Sequence, residues 1–466
     1  MIKRAERYLV DGMPTDTMLR SVLREHAGNI PRLTMLRDYY RGKSAITKRE
    51  RAKGLPNNRI AHPYARYIVS VATGYLIGQP VTYMSDEQKD ALQPITDAFD
   101  KCSVKSIDTE NARHAAVYGR GVEYIHVSEN EAGQILPCSV ALSPEQAFVV
   151  YDDDYHNKPL FGIYYTPETN EDGSQDGWRI WIMGKEIVRE CKMPDLGGSA
   201  IEIVNETTHY FGDVPMVEYW NDEDERGDFE WIIPMIDAYD KLESDRVNDK
   251  EQFVDKLLVL TGCVLETDKD GREPWQQLRE DKALCLPDST ASAQYLQGSM
   301  VESDIEVLRN ALQSDIHKMA LVPDLSDKDF AGNSSGVAMK YKLWGLEQLT
   351  SIKEQWFIEG LKTRLRLFAN FCAVQGHPKL DVDAVRITMK RAMPENLIEN
   401  AQLVQYADAA GASSTEEKVR MLHAYDGWTD EMVSAELEKI TADTAREQMS
   451  GMLMSAAVAG AENEAE

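Results

Sequence analysis

Residues 232–260 read IIPMIDAYDKLESDRVNDKEQFVDKLLVL, and the fold turns on this stretch. Ile232, Ile233, Ile236, Tyr239, Leu242 and Val247 recur at helical spacing, while Asp237, Asp240, Lys241, Glu243, Asp245, Arg246, Asp249, Lys250 and Glu251 crowd the other faces. A helix this polar has a narrow apolar stripe for one partner and otherwise faces water or charged neighbours. At 1.5 Å per residue it reaches about 40 Å. The partner comes later: Val301, Ile305, Leu308, Leu312, Ile316 and Met319 make a single apolar stripe that Pro323 ends. Between the two, residues 261–300 break helical periodicity, with turn signals at Asp270–Gly271, Pro274 and Pro287 and strand-like pieces such as LVLTGCVLE and KALCLP. Two helices bracketing a protruding tip make a stalk.

Downstream, SDKDFAGNSSGVAMKY (326–341) leads from a charged run through a Gly, Asn and Ser cluster into a helical pattern of more than 30 residues. That pattern carries Leu343, Trp344, Leu346, Leu349, Ile352, Trp356, Phe357, Leu361, Leu365, Phe368 and Phe371. Gly345 and Gly360 are candidate bend points, and Gly376 with Pro378 stops the helix. VDAVRITMKRAMPEN reads as a strand and a turn, residues 395–455 as two or three short helices, and AAVAGAENEAE as a small acidic tail that frays.

Upstream, residues 15–56 read as helical and polar, ending in KSAITKRERAKG (43–54). Those basic residues read as a solvated arm, the sharper alternative being contact with an acidic neighbour or with DNA. Ile60, Tyr64, Tyr67, Ile68, Val71, Ala72 and Tyr75 predict a helix that Gly78 and Pro80 end, and further helices are predicted over 89–99 and 105–118. Residues 121–220 read as short strands: VEYIHV, ILPCSV, AFVVY, LFGIYYT, a hairpin turning at 183–185, TTHYF and VPMVEYW. NDEDERGDFEW (221–231) reads as a solvated acidic linker. The fold class is therefore α+β, mainly helical.

The 466 residues suffice for two to four structural units and a large core. With 51 Lys and Arg against 78 Asp and Glu, the net charge is −27. A protein that wraps nucleic acid needs a basic surface to displace counterions, so this balance argues against one. It suits a wall past which DNA must slide without sticking. Six scattered cysteines, Cys102, Cys138, Cys191, Cys263, Cys285 and Cys372, form no C-x-x-C pair and read as free thiols in a reducing compartment. No signal-peptide core and no apolar run of about 18 residues is present, so no membrane span is expected.

Catalytic signals are weak. Gly332-Asn333-Ser334-Ser335-Gly336 fits G-x-S-x-G, with Asp381 or Asp383 and then His423 in hydrolase order. A nucleophile elbow needs a buried apolar strand before the serine, however, and LSDKDFA is charged. The plain reading is a loop whose Asn or Ser caps the next helix. There is no G-x-x-x-x-G-K-[ST] or H-E-x-x-H. Asp152–Asp153–Asp154 reads as a solvated turn before a cation site. No enzyme activity, cofactor or metal is expected.

The order of elements resembles the portal proteins of tailed double-stranded DNA bacteriophages, of the siphophage type of Gram-positive hosts. PNNRIAHPYARYIVSVATGYLIGQPVTY (56–83), VPMVEYWNDEDERGDFEWIIPMIDAYDKLESDRVNDKEQFVDKLLVLTG (214–262) and GNSSGVAMKYKLWGLEQL (332–349) carry it. The resemblance implies a ring, usually of twelve subunits, built of wing, stem, clip and crown. It implies an N-terminal helical arm (1–56), an α/β wing (57–231), stem helices (232–260 and 301–322), a clip (261–300), a tunnel loop (323–338), a long wing helix and strand (339–392), and a helical crown with an acidic tail (393–466). The implied function is the channel at one capsid vertex through which viral DNA is packaged and ejected. Asp327, Lys328, Asp329, Phe330, Asn333 and Ser334 then belong to the tunnel loop facing DNA. Lys269, Arg272, Trp275 and Arg279 belong to the clip that meets the terminase large subunit and head-completion or adaptor proteins. Major capsid and scaffolding proteins are further implied partners, and the implied location is the virion after assembly in the host cytoplasm. Alternatives from other classes are a serine hydrolase centred on Ser334 and another head–tail connector ring, which is usually much shorter.

Overall fold

The computed structural model describes residues 1–53, 55–129, 133–196, 198, 200–254, 257–261, 292–296, 302–325, 341–391, 397–411, 414–422, 432–443 and 446. They fall into two compact units, Met1–Asp324 with Leu343–Ala392, and Leu325–Lys342 with Met393–Glu466.

The first unit begins with β1 (Ile2–Arg4), the short hairpin β2 (Leu9–Val10) and β3 (Met13–Pro14), and α1 (Asp16–Tyr40). Thr15 caps α1, its hydroxyl accepting the Met18 N–H at 3.3 Å. Then come α2 (Tyr64–Ile77), β4 (Thr82–Met84), α3 (Lys89–Lys101) and α4 (Val104–Tyr118). Strands follow: β5 (Arg120–Glu129), β6 (Ile135–Leu142), β7 (Ala147–Asp152), β8 (Pro159–Thr169), β9 (Gln175–Met183), β10 (Ile187–Met193), β11 (Glu202–Thr208) and β12 (Met216–Trp220). The long polar helix is α5 (Ile233–Val254). Strand pair β13 (Leu257–Thr261) and β14 (Ser292–Leu296) follows, then α6 (Glu302–Ala320), α7 (Trp344–Val374) and β15 (Arg386–Thr388).

One sheet has the order β1-β7-β8-β9-β10-β11, parallel at β1–β7 and antiparallel elsewhere. The hairpin turn falls at Gly184, where the change from alternating apolar residues to Gly-Lys predicts it. Val22 and Leu23 of α1 pack on Phe148, Phe161, Ile163 and Ile180 of this sheet. A second sheet, β12-β5-β6, carries the main core: Leu76, Ile95, Phe99, Tyr219, Phe357, Leu361 and Phe368. Here α7 lies on β12, and Gly360 is the reason it can: a Cβ there would stand 2.5 Å from the Tyr219 ring. Gly360 thus serves close packing within a single helix, where the sequence suggested a bend.

Three expectations are corrected. Residues 221–231 are no solvated linker: Phe229 and Asn221 are buried, and Asp228 forms a buried ion pair with Lys353 of α7 at 2.5 Å. Cys102 at the end of α3 and Cys138 on β6 are joined as a disulfide, so the all-thiol reading does not hold. Cys191 and Cys372 are free and buried, and burial pushes both thiols up to about 11. The predicted helix from Ile60 starts at Tyr64, because residues 58–62 are taken up by α5.

In the second unit, α8 (Leu397–Ala409) and α9 (Thr415–Leu422) are joined by an ion pair between Lys418 and Asp408. Ser414 and Glu417 form a capping box: the Ser414 hydroxyl accepts the Glu417 N–H at 3.1 Å and the Glu417 carboxylate accepts the Ser414 N–H at 3.2 Å.

Candidate functional site

The stretch expected to form a stalk holds α5, α6 and the strand pair between them. β13 and β14 pair antiparallel from Leu257↔Leu296 to Thr261↔Ser292. The helical reading therefore ends earlier than 260, at Val254, and the apolar LLVLT run becomes a strand. Ion pairs hold the two helices together. Arg246 and Lys250 both reach Glu302, Lys250 at 3.2 Å, and Arg309 reaches Glu243 at 3.3 Å. The Arg246 and Lys250 hydrogen bonds hold the Glu302 carboxyl below the usual carboxylate range. Lys250 is exposed and the other four groups are part-buried at the surface, so the pairs set register more than they add stability.

The apolar stripe of α6 is only half used. Ile316 is fully buried, whereas Leu308 and Met319 of the same predicted stripe are exposed.

The crowded charge on α5 has a different fate from the one expected. Asp240, Ser244 and Asn248, one turn apart on a single face, are all fully buried. They receive the chain segment at 58–62. The Asn58 N–H donates to the Asn248 side chain at 2.7 Å, the Ile60 N–H to the Ser244 hydroxyl at 3.0 Å, and the His62 N–H to Asp240 at 2.9 Å. Two extended residues advance about 6.6 Å and four helical residues about 6 Å, so alternate residues of the segment keep step with successive turns of the helix. The basic arm before it also folds onto α5: Arg49 and Arg51 both contact Asp245, at 2.6 and 3.0 Å. Of the readings offered for that arm, contact with an acidic neighbour holds, and the neighbour is in the same chain. The polar spine has a sequence signal, small polar or acidic residues at i, i+4 and i+8, of which only Asp240 stands among the charged residues that spacing assigns to the outer faces.

A second ionic cluster fixes α7. Arg364 is completely buried among Asp108 of α4, Glu123 of β5 and the Tyr83 hydroxyl, which it meets at 2.7 Å. Burial pushes the Glu123 carboxyl up, and Tyr219 donates to it at 2.5 Å. Burial also holds His26 and His114 down, to about 3 and about 4.

The expected tunnel-loop residues Asp327, Lys328, Asp329, Phe330, Asn333 and Ser334 lie outside the described residues, as do Lys269, Arg272, Trp275 and Arg279. So do Ser334 and His423 of the hydrolase alternative, while Asp381 accepts the Asp383 N–H in a 3-10 turn. In the Asp152–Asp154 turn, Asp152 accepts the N–H groups of Glu6 and Asp153, and Asp154 that of Tyr155. Among the described residues no group of three or more His, Cys, Asp or Glu is placed to hold a metal, and no helix is long and apolar enough to cross a membrane.

Residues 19–450 match the family model for phage portal proteins of the SPP1 Gp6-like type. The chain belongs to that family. It is 24% identical over 441 residues to a portal protein of Bacillus phage SPP1, covering 87% of this chain and 83% of that one. It is 21% identical over 441 residues to a portal protein of Clostridium phage phiCD119, covering 90% and 94%. A chain in the virion of a native gene transfer agent particle aligns with TM-score 0.44 and 11% identity, over 84% of this chain and 93% of that chain. The hydrolase alternative finds no support in these matches.

Proposed function

We propose that this portal-family chain closes head to tail into a ring of about twelve copies at one capsid vertex, and that viral DNA is packaged and ejected through its centre. The observation that carries the reading is the family match over residues 19–450. The α5–α6 pair with its strand pair supports it, since this is the stem-and-clip order that the resemblance implies. In this reading residues 261–300 dock the terminase large subunit during packaging and head-completion or adaptor proteins afterwards, with Lys269, Arg272, Trp275 and Arg279 as contacts. Residues 323–338 form the tunnel loop. Lys328 touches phosphates transiently, Asp327 and Asp329 prevent tight binding, and Phe330 packs on the neighbouring loop or channel wall. The acidic total of −27 keeps the lining from binding DNA tightly. Capsid and scaffolding proteins surround the ring, which is assembled in the host cytoplasm, ends in the virion and catalyses nothing.

Light scattering with negative-stain images tests the ring. The expected particle has a central hole and a mass of about 630 kDa, twelve times the 52.6 kDa chain. Lys328→Ala and Phe330→Ala test the loop: both should slow or shorten packaging, and normal rate and length in both would remove the loop assignment.

A further inference from the structure

We propose that the outer face of the first half of α7, with the adjoining end of α6, is a surface on which a second copy of this chain docks. This rests on the ring reading above and names the residues that make one of its contacts.

The first observation is an unpartnered stripe. Leu346, Phe357 and Leu361 turn the inner side of α7 into the core, yet Trp344, Ile352 and Trp356 stand on the outer side among exposed residues. Trp344 is 61% exposed. An apolar stripe on both sides marks a helix whose burial is incomplete in the single chain. Exposed tryptophans are the residues that most often dominate interface energies.

The second observation is independent of the first. The Val322 N–H bonds to the His317 carbonyl at 3.2 Å and the Leu321 N–H to the Lys318 carbonyl at 3.3 Å, the double bond of a Schellman cap. The left-handed residue at such a cap is normally glycine, but here it is Leu321 at φ +55°, at a cost of about 1–2 kcal/mol. Its side chain is 47% exposed, so the fold of one chain recovers only part of that cost. Its Cδ2 lies 3.7 Å from where a Cβ on Gly345 would stand, which makes Leu321 continuous with the start of the tryptophan stripe. Strain kept for a half-exposed side chain points to a contact outside the chain. Together these side chains leave on the order of 400 Å² of apolar surface, about half of one partner's share in a standard interface.

The occupant follows from charge and symmetry. The exposed residues between positions 344 and 359 include Gln348, Gln355 and Glu359 and no Lys or Arg, and the end of α6 adds the exposed Lys318, so the face carries too little positive charge to suit DNA phosphates. A head-to-tail ring requires two unlike faces on every chain. A second one is present on α6, where Val307 is 70% exposed beside exposed Leu308.

The test uses the full-length protein, with Trp344→Gln/Trp356→Gln as one variant and Leu321→Gly as another. Light scattering over a concentration series gives assembly, and thermal melts by circular dichroism give the fold. The tryptophan variant should melt within a few degrees of wild type and need at least 100-fold more protein to form rings. Leu321→Gly should melt no lower than wild type and assemble about 10-fold less readily. Rings from both variants at wild-type concentrations overturn the docking face and leave the ring reading intact. Variants that fail to assemble but melt far below wild type assign these residues to the fold, which also overturns it. A wild-type chain that stays single at every concentration overturns the ring reading and this face with it.

Discussion

The carboxylate of Asp240, fully buried on α5, accepts two hydrogen bonds from one residue, the His62 backbone N–H at 2.9 Å and the His62 ring Nδ1–H at 3.0 Å. The Ser44 hydroxyl donates to its other oxygen at 2.5 Å. A buried carboxylate needs every one of these donors, and the donors in turn fix the segment at 44–62 along the helix. Asp240→Ala should therefore cost about 2–3 kcal/mol in urea unfolding. It should also free the arm, so that trypsin cuts at Arg49 and Arg51 while α5 is still folded. Unchanged resistance at those sites would mean the arm is held without Asp240.

Arg364 makes a stronger demand. Removing its guanidinium leaves Asp108 and Glu123 facing each other in the core without a cation. Arg364→Ala should cost about 3–5 kcal/mol in denaturant unfolding. The triple change Arg364→Met, Asp108→Asn, Glu123→Gln removes the charges together and should recover most of the loss. If the triple variant is as unstable as the single one, the cost lies in lost packing.

What the sequence discloses and what it hides divides along contact distance. VEYIHV, AFVVY and the hairpin at Gly184 are legible because a strand's alternation and its turn are local, and α3 and α4 fall within two residues of the expected bounds. The arm on α5 is not legible, since Asn58 has no pattern of its own and meets Asn248, 190 residues away. Asp228 reads as linker charge until its partner Lys353 is placed, 125 residues on. Leu308 and Met319 fit the stripe of α6 by spacing, but spacing cannot tell a face that meets α5 from one left open. The tunnel-loop and clip residues that the resemblance implies lie outside the described residues, whereas the open stripe of α7 shows only in side-chain exposure, which spacing alone does not encode.

The Cys102–Cys138 bond closes 36 residues between α3 and β6. In the chain-entropy account a loop of that length is worth about 4 kcal/mol. Reduction with dithiothreitol, or Cys102→Ser/Cys138→Ser, should lower stability by about 2–4 kcal/mol. Alkylation and mass spectrometry of the unreduced protein should leave both cysteines unlabelled. Labelling of both without reductant would show the thiols to be free.

His26 makes stability depend on pH in a definite direction. The Pro144 carbonyl can only accept, so Nε2 carries the proton at 3.0 Å; Nδ1 lies 2.9 Å from the Tyr165 hydroxyl, which also reaches the Glu145 carbonyl at 3.3 Å. A second proton on Nδ1 would place a charge in a site stacked on Phe148 and closed to water. Burial, with the charge of Arg120 adding to it, holds the folded value at about 3 against 6.5 for the free side chain. Between those values the unfolded chain binds the extra proton and the folded one does not. The stabilisation is therefore complete above about pH 6.5 and falls by about 1.4 kcal/mol per pH unit below it, until the folded value is reached. His114, held down to about 4, acts in the same direction. Glu123 and Glu218, both pushed up by burial, oppose them in part of the range, so the histidine contribution has to be read as a difference. Urea unfolding of wild type and His26→Gln at pH 7 and pH 5 isolates it: the wild type should lose about 2 kcal/mol more than the variant over that interval. Parallel pH profiles for the two proteins would mean that His26 accepts its second proton in the folded state at an ordinary pH.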